Sequence, residues 1–262
     1  MSLERLLQIM EKLRSPEGCP WDREQTHDSL KRYLIEEAYE VLEAIDTGDP
    51  SMLADELGDV LLQVVFHAQI AKEQGTFTMD DVIEAISSKL IRRHPHVFGE
   101  IDVSTVSDVI RNWDAIKRAE KQGQERTSLL DGVPKEFPAL MRAEKIQQKA
   151  AKVGFEWDDV RGALAKAQEE FYELQDAVDS ADQDQIKAEF GDLLFALVNV
   201  ARYVKVDPEL ALQDATSKFV RRFQFIEEKA KAQGLSLEDM SLAEMDAIWD
   251  EAKAYFRKKP QS

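Results

Sequence analysis

The chain contains few of the residues that mark secreted or membrane proteins. Cys19 is its single cysteine, so no disulfide can form within the chain, and this composition fits a reducing compartment. No segment approaches the roughly 18 consecutive apolar residues of a membrane span, and the first residues lack the basic-then-apolar order of a signal peptide. We therefore expect a cytoplasmic protein with no membrane partner.

Basic residues are scarce relative to acidic ones. The chain has 34 lysines and arginines against 51 aspartates and glutamates, which gives a formal net charge of -17. Proteins that bind duplex nucleic acid need a basic face to neutralise phosphate, so we expect no nucleic-acid partner. A solubilising surface accounts for most of the acids.

The sequence also lacks convincing period-two alternation, the pattern of a half-buried β-strand. Helical periodicity recurs instead, and one such stripe consists of Leu34, Ala38, Val41, Leu42 and Ile45. We predict an all-α chain, which at 262 residues can bury one large core or two small ones.

One acidic pattern occurs twice, as E-E-x-x-E, fifteen residues, then E-x-x-D, with the second copy 133 residues after the first. The first copy consists of Glu36, Glu37, Glu40, Glu56 and Asp59, and the second of Glu169, Glu170, Glu173, Glu189 and Asp192. Helix-borne carboxylates three or four residues apart share a face and offer the oxygen ligands that Mg²⁺ prefers. The pattern predicts a metal site that is built twice.

The duplication extends beyond the acids. Trp21 has a counterpart in Trp157, and further matched residues follow each acidic copy: Lys89, Arg92, Arg93, Trp113 and Lys117 in the first half, Lys218, Arg221, Arg222, Trp249 and Lys253 in the second. We predict two tandem helical repeats, residues 1–122 and 139–262, joined by a glycine- and proline-containing linker at 123–138.

A group of carboxylates on two neighbouring helices needs compensation. Two unit charges about 4 Å apart repel by roughly 4 kcal/mol at an effective dielectric constant of about 20. A bound cation or raised pKa values relieve this repulsion. The alternative interpretation, in which the acids are simply solvated helix faces, applies to most isolated E-x-x-E patterns, but two copies in register favour a site.

Two glycines lie within the predicted acidic helices. Gly58 and Gly191 directly precede the final aspartate of each copy, where glycine costs about 1 kcal/mol relative to alanine. We therefore expect a close approach of another helix or of a ligand at these positions.

The basic and aromatic residues of the second repeat suit a polyphosphate ligand. Lys218 and Arg222 lie one helical turn apart, and Trp249 with Lys253 offers an aromatic face beside a cation. Core packing of Trp249 and surface ion pairs of the arginines remain open alternatives. Lys166 and Lys187 accompany only the second acidic copy, because Tyr33 and Ala54 occupy the equivalent positions in the first. We therefore favour the second repeat as the triphosphate site.

These residues resemble the MazG family of nucleoside triphosphate pyrophosphohydrolases, over essentially the whole chain and in the two-domain form. Besides the acidic motifs, the resemblance lies in the segments G-C-P-W-D at 18–22, R-R-H-P-H-V-F at 92–98, L-M-R-A at 140–143 and V-G-F-E-W at 153–157. It implies two MazG-type helical bundles in an intertwined homodimer. It also implies Mg²⁺-dependent hydrolysis of nucleoside triphosphates to monophosphate and pyrophosphate, with Mn²⁺ as a possible substitute, in the C-terminal domain.

The resemblance also implies roles for individual residues. The expected metal ligands are Glu170, Glu173, Glu189 and Asp192, with Glu37, Glu40, Glu56 and Asp59 as a second-choice site. The expected nucleotide-binding residues are Lys166, Lys187, Lys218, Arg221, Arg222, Trp249 and Lys253. Glu170 and Glu173 are also expected to be catalytic, and Glu169 could orient the attacking water as a base. Broad specificity, with a role in nucleotide-pool cleaning or in alarmone-linked stress, fits a site that reads the triphosphate.

Two other functions would also place carboxylates on helices. A di-metal redox bundle would need paired E-x-x-H motifs, and only Glu24 and His27 have that spacing. A nucleotide-sensing or partner-binding helical module with structural metal is the main alternative to an enzyme. Phosphate-loop and serine-hydrolase motifs are missing from the sequence.

Overall fold

A computed structural model describes residues 2–99, 101, 103, 105–120 and 128–258. These residues form α-helices, one 3₁₀ turn and connecting loops, with no β-strand among them, which confirms the predicted all-α class. In the same ranges no helix has both the length and the apolar character needed to cross a bilayer.

The chain divides into two units at residues 124 and 125. That division lies within 121–127, which is outside the described residues, as is the beginning of the predicted linker at 123–138. Residues 128–138 contain turns and no helix. The linker boundaries therefore stay a prediction.

The first unit is arranged around a helical hairpin. Helix α3 packs along α4, α1 lies against α4, and α5 contacts both α4 and α7. Its helices are α1 (Leu3–Arg14), α2 (Pro20–Glu24), α3 (Lys31–Thr47), α4 (Pro50–Glu73), α5 (Met79–Arg93), α6 (Pro95–Phe98) and α7 (Val106–Glu120).

The second unit contains the same kind of hairpin. Helix α9 packs along α10, α8 lies against α10, and α11 packs against α12. Its helices are α8 (Ala139–Ala151), α9 (Val160–Ser180), α10 (Gln183–Val204), α11 (Pro208–Ala232) and α12 (Leu242–Lys258), with a 3₁₀ turn at Leu237–Asp239.

The two hairpin turns are copies of each other. Gly48 ends α3 in the left-handed conformation with φ of 70°, and Ala181 ends α9 at φ of 57°. Asp49 then caps α4 by accepting a hydrogen bond from the backbone of Ser51 at 2.8 Å, and Asp182 caps α10 in the same way. Each aspartate satisfies a backbone N–H group that the helix leaves unpaired. Such short connections make the joined helices antiparallel neighbours.

The buried positions repeat in the same register. Within each hairpin the side chains 133 residues apart are buried as pairs: Leu30 and Ala163, Ala44 and Ala177, Gln63 and Ala196, Val65 and Val198. Equal burial at equal spacing shows that the acidic pattern belongs to a repeated fold, so the prediction of tandem repeats is confirmed.

The expected close approach at the mid-helix glycines is wrong within each hairpin. A Cβ atom added to Gly58 or Gly191 would meet no atom of the described chain within 4 Å. Both positions face open space because the hairpin partner packs on another side of the helix. These glycines leave room only for a separate molecule or a second chain.

The turn of the second hairpin offers a test of backbone strain. A residue other than glycine loses roughly 1–2 kcal/mol of folding stability in the left-handed conformation. Replacing it with glycine removes this loss, but about 0.4–1 kcal/mol of the gain is cancelled because glycine has greater conformational entropy in the unfolded chain. Ala181→Gly should therefore raise the free energy of unfolding of the second unit by about 1 kcal/mol. Urea unfolding followed by circular dichroism measures this change.

Gly48→Ala is the matched control, since its added Cβ meets nothing within 4 Å and only the backbone is affected. It should destabilise the first unit by about 1 kcal/mol. A loss of stability in Ala181→Gly would contradict the strain argument.

Candidate active site

Three acids of the second unit meet at the hairpin of α9 and α10. Glu170 and Glu173 lie one turn apart on α9, and Glu189 faces them from α10, with one carboxylate oxygen of each residue within 4.8 Å of the others. Glu170 is buried, whereas Glu173 is exposed. The antiparallel hairpin thus brings together three of the four predicted metal ligands. Asp192 is exposed one turn further along α10 and is not a member of this group.

The charges of this group are only partly compensated. Although Glu173 is exposed, partial desolvation by its neighbours raises its pKa above the ordinary value, and the hydrogen bond and negative charge of Glu170 raise it further. Protonation of Glu173 is therefore easier than for a solvated glutamate. A bound cation would stabilise the charged form of such a carboxylate.

Lys166 supplies one positive charge. Its Nζ lies 2.7 Å from Glu170 and 2.9 Å from Glu169, at the i, i+4 and i, i+3 positions of α9. Hydrogen bonds to Glu170 and then to Glu169 raise the pKa of Lys166 above its ordinary value. Glu169 itself is exposed and lies outside the group of three. Its role as a base stays a prediction.

The first unit has an equivalent acidic group in α3 and α4. Its members are Glu37, Glu56 and Asp59, with oxygens again within 4.8 Å of one another. Burial raises the pKa of Glu37, and a hydrogen bond with Glu40 and the charge of Asp59 raise it further. Burial, followed by the charge of Glu40, raises the pKa of Glu56. Glu40 therefore acts on the group without being one of its members.

A buried glutamine distinguishes the first group from the second. The Gln63 Nε2 donates a long hydrogen bond of 3.4 Å to Glu37, and its Oε1 has no partner among the described residues. The register counterpart is Ala196. We did not predict this contact, although the exchange of alanine for glutamine in an otherwise matched segment is a signal that could have revealed it.

Lys166 has no cationic counterpart at the matching position of the first unit, where Arg32 instead pairs with Glu36 at 2.6 Å. Tyr33 replaces Lys166, and its ring packs edge-on against Trp21 with 5.9 Å between ring centroids. Ala54 replaces Lys187, which is exposed and has no ion-pair partner in the described part of the chain. The asymmetry that the sequence predicts is therefore present in the side-chain contacts of Lys166.

The predicted nucleotide-binding residues of the second unit that follow the acidic group lie on α11 and α12, two helices that pack together. The Arg222 guanidinium lies 5.3 Å from the centroid of Trp249, which also contacts Phe219. Lys253 pairs with Asp250 at 2.8 Å. Lys218 and Arg221 lie on α11 within one turn of Arg222. The contacts of Arg222, Trp249 and Lys253 are thus made between or within these two helices.

The histidine at the E-x-x-H spacing has a different partner. His27 Nδ1 lies 2.8 Å from Nδ1 of His67, and the two rings stack with centroids 5.1 Å apart. Burial lowers the pKa of His67, and the charge of His27 lowers it further. Among the described residues the groups suited to metal contain carboxylates and no histidine. The contacts of His27 therefore give no support to a redox centre. Sequence periodicity did not single out His67.

A family model for the MazG nucleotide pyrophosphohydrolase domain matches the chain twice, at residues 25–98 and 161–227. The matched segments contain both acidic groups. The chain belongs to this family. The predicted family, and with it the hydrolase class, are confirmed.

Curated relatives resemble the chain over nearly its full length. The nucleoside triphosphate pyrophosphohydrolase/pyrophosphatase MazG of Thermotoga maritima is 51% identical over 250 residues, which cover 95% of both chains. The nucleoside triphosphate pyrophosphohydrolase of Escherichia coli K12 is 46% identical over 96% of this chain and 97% of its own. The uncharacterized protein YabN of Bacillus subtilis is 56% identical, and the match spans 94% of this chain and 50% of YabN.

Metal binding tests the two acidic groups of this MazG-family chain separately. Glu189→Gln and Glu56→Gln should each remove about half of the Mn²⁺ that the wild-type chain binds at pH 7, because each removes one ligand of one group. Changes outside the ligand shell already cost about 10–100-fold in metal affinity, so loss of a ligand should cost at least as much. Electron paramagnetic resonance of free Mn²⁺ measures the bound fraction.

Lowering the pH should release Mn²⁺ from the wild-type protein, since protons compete for carboxylates whose pKa values are raised. Glu228→Gln, an exposed position on α11, serves as the control and should bind as the wild type does. Unchanged binding in both test variants would show that the groups are not metal sites.

Proposed function

We propose that this chain hydrolyses nucleoside triphosphates to nucleoside monophosphates and pyrophosphate in a Mg²⁺-dependent reaction, and that the second unit carries the activity. The observation that supports this most directly is the group Glu170, Glu173 and Glu189 with Lys166 beside it, in a MazG-family fold. Relatives that match almost the whole chain are named for this activity.

The donor set fits a hard divalent cation. Three carboxylates converge from two helices, and the raised pKa of Glu173 indicates negative charge that the chain itself does not fully compensate. Glu170, Glu173 and Glu189 would hold the ion, with Asp192 able to join from one turn away. A bound Mg²⁺ would screen phosphate oxygens and lower the pKa of a coordinated water.

The remaining residues position the substrate and manage its charge. Lys218 and Arg222 bind the phosphates, and Trp249 offers a ring for the base. Glu169, which is exposed beside the acidic group, takes the proton of the attacking water. The water oxygen bonds to the α-phosphorus while the bond to the oxygen of the β-phosphate breaks. Pyrophosphate leaves with its charge stabilised by the basic residues of α11.

We expect broad specificity from the same proposed contacts. Most of the proposed contacts read the triphosphate and its metal, and only Trp249 would meet the base. We therefore expect several nucleoside triphosphates to be hydrolysed. Removal of damaged nucleotides before polymerase use, or a stress role through nucleotides that feed alarmone signalling, would both use such a site.

Product analysis distinguishes this enzyme from a sensor. Wild-type protein with Mg²⁺ should convert each triphosphate to monophosphate and pyrophosphate, resolved by ion-exchange chromatography. Glu173→Gln should lower turnover on the order of 100-fold or more, the cost of losing one electrostatic contact to the transition state. Release of diphosphate and phosphate would mean attack at another phosphorus, and binding without products would favour the sensor.

Glu40→Gln is the matched variant, because Glu40 holds the same register position in the first unit. It should retain turnover close to that of the wild type. Equal losses in both variants would contradict the assignment of the activity to the second unit.

We further propose that two copies of the chain form a homodimer with interleaved hairpins. Support comes from large apolar side chains that are exposed on α9 and α10, together with the open space around Gly191: Phe171, Phe190, Leu194 and Leu197. An exposed apolar face of this kind is typical of a subunit interface.

Sedimentation equilibrium should give twice the chain mass for the wild type. Leu194→Glu should yield monomers, because a charge in an apolar interface remains without a partner. Leu242→Glu, at an exposed leucine of α12, should leave the dimer intact. A wild-type chain that sediments as a monomer would exclude the interleaved arrangement.

A further inference from the structure

Glu120 binds two of the predicted basic residues of the first unit, Arg92 and Arg93. Located at the end of α7, it accepts hydrogen bonds from two successive arginines of α5. Arg92 Nε donates to its Oε1 at 2.7 Å, and Arg93 donates from Nη2 to Oε2 at 2.6 Å and from Nε at 3.2 Å. The carboxylate therefore lies between two guanidinium groups.

Solvent reaches the Arg93 side of this contact much less than the Arg92 side. The side chains of Arg93 and Glu120 are 17% and 20% exposed, whereas Arg92 is 53% exposed. Hydrogen bonds from Arg93 and then Arg92 lower the pKa of Glu120 to about 2. Glu120 is thus a permanent anion at neutral pH, held by a two-pronged contact of the kind that guanidinium also makes with phosphate.

The second unit has the same arginines and tryptophan in the same arrangement. Arg93 lies 5.7 Å from the ring of Trp113, as Arg222 lies 5.3 Å from the ring of Trp249. The position that matches Glu120 differs: it is Phe256, which packs against Phe225 and Tyr255. The Nε of Arg222 has no hydrogen-bond partner in the described ranges.

We infer that Glu120 determines which unit binds triphosphate, by occupying on Arg92 and Arg93 the place that phosphate oxygens take on the matching arginines of α11. This inference rests on the proposed function, in which the α11 residues hold the phosphates. The first unit then retains its acidic group but is closed to substrate by a carboxylate of its own chain. Phe256 has no carboxylate, so it cannot occupy Arg222 in this way.

The competition is effective because the blocking group is tethered. An intramolecular group has an effective concentration on the order of millimolar, and a triphosphate must displace it from both arginines before it can bind. The negative charge of Glu120 also repels an approaching phosphate. Removal of that charge, with the shape of the side chain retained, should open the site.

Binding stoichiometry tests the inference on the full chain. The probe is an ATP analogue with a methylene group between the α- and β-phosphorus, titrated with Mg²⁺ in a calorimeter. The wild type should bind one equivalent per chain, and Glu120→Gln should bind a second. Adding Arg93→Ala to Glu120→Gln should abolish the second equivalent. Glu120→Phe, which copies the second unit, provides an independent variant, and circular dichroism verifies that each variant is folded.

The outcomes separate the two proposals. One equivalent in both the wild type and the folded Glu120 variants would overturn the role of Glu120 and leave the proposed function standing. Two equivalents in the wild type would overturn it as well. No binding to the wild type but one equivalent in Glu120→Gln would support Glu120 and contradict the assignment to the second unit. No binding by any of these proteins would overturn both.

The reciprocal change tests the same idea in the second unit. Phe256→Glu should raise the KM for ATP at least about tenfold by placing a carboxylate on the matching arginines. Phe256→Gln controls for loss of the aromatic ring and should raise KM much less. Equal KM values in the two variants would overturn the inference, because the effect would then not depend on charge.

Discussion

Repulsion among carboxylates held on two antiparallel helices is the constraint on which the rest of this structure depends. A two-residue turn fixes the pairing of α9 with α10, and the cap by Asp182 sets where α10 begins. That pairing places Glu189 opposite Glu170 and Glu173, so the backbone of the hairpin keeps the three carboxylates near one another. The acidic site is therefore a property of the fold, and the cations around it are what can vary.

The two units show how such variation arises on one backbone. Both have the turn, the buried register and the acidic group, but their neighbours differ. Lys166 gives the second group a cation, whereas Tyr33 at the matching position packs on Trp21. Gln63 then donates a neutral hydrogen bond where the second unit has alanine. The same repulsion is thus reduced by an ion pair in the second unit and by a neutral hydrogen bond in the first.

Much of the fold and part of the site could be predicted from the sequence, because both follow from local periodicity. Helical spacing places Glu170 and Glu173 on one face, and the register repeat places Glu189 opposite them. Contacts between distant segments carry no such periodic signal. The pairs Gln63 with Glu37, His27 with His67 and Glu120 with Arg93 depend on how helices are rotated against one another. Asp192 lies outside the second group although Asp59, at the same register position, belongs to the first, a difference that spacing alone does not predict.

Lys166 connects the binding of the proposed metal with the binding of triphosphate. Its ammonium bonds to Glu170, an oxygen donor that the proposed metal would also use, and these bonds raise the pKa of Lys166. Two cations on one carboxylate repel each other, so Lys166 and the proposed metal ion compete for Glu170. An ammonium displaced from Glu170 has three donors and a flexible stem, and an anionic phosphate is the group that best replaces the lost carboxylate. Metal and triphosphate are therefore expected to favour each other's binding in the second unit, where Lys166 is present, more than in the first, where Tyr33 replaces it.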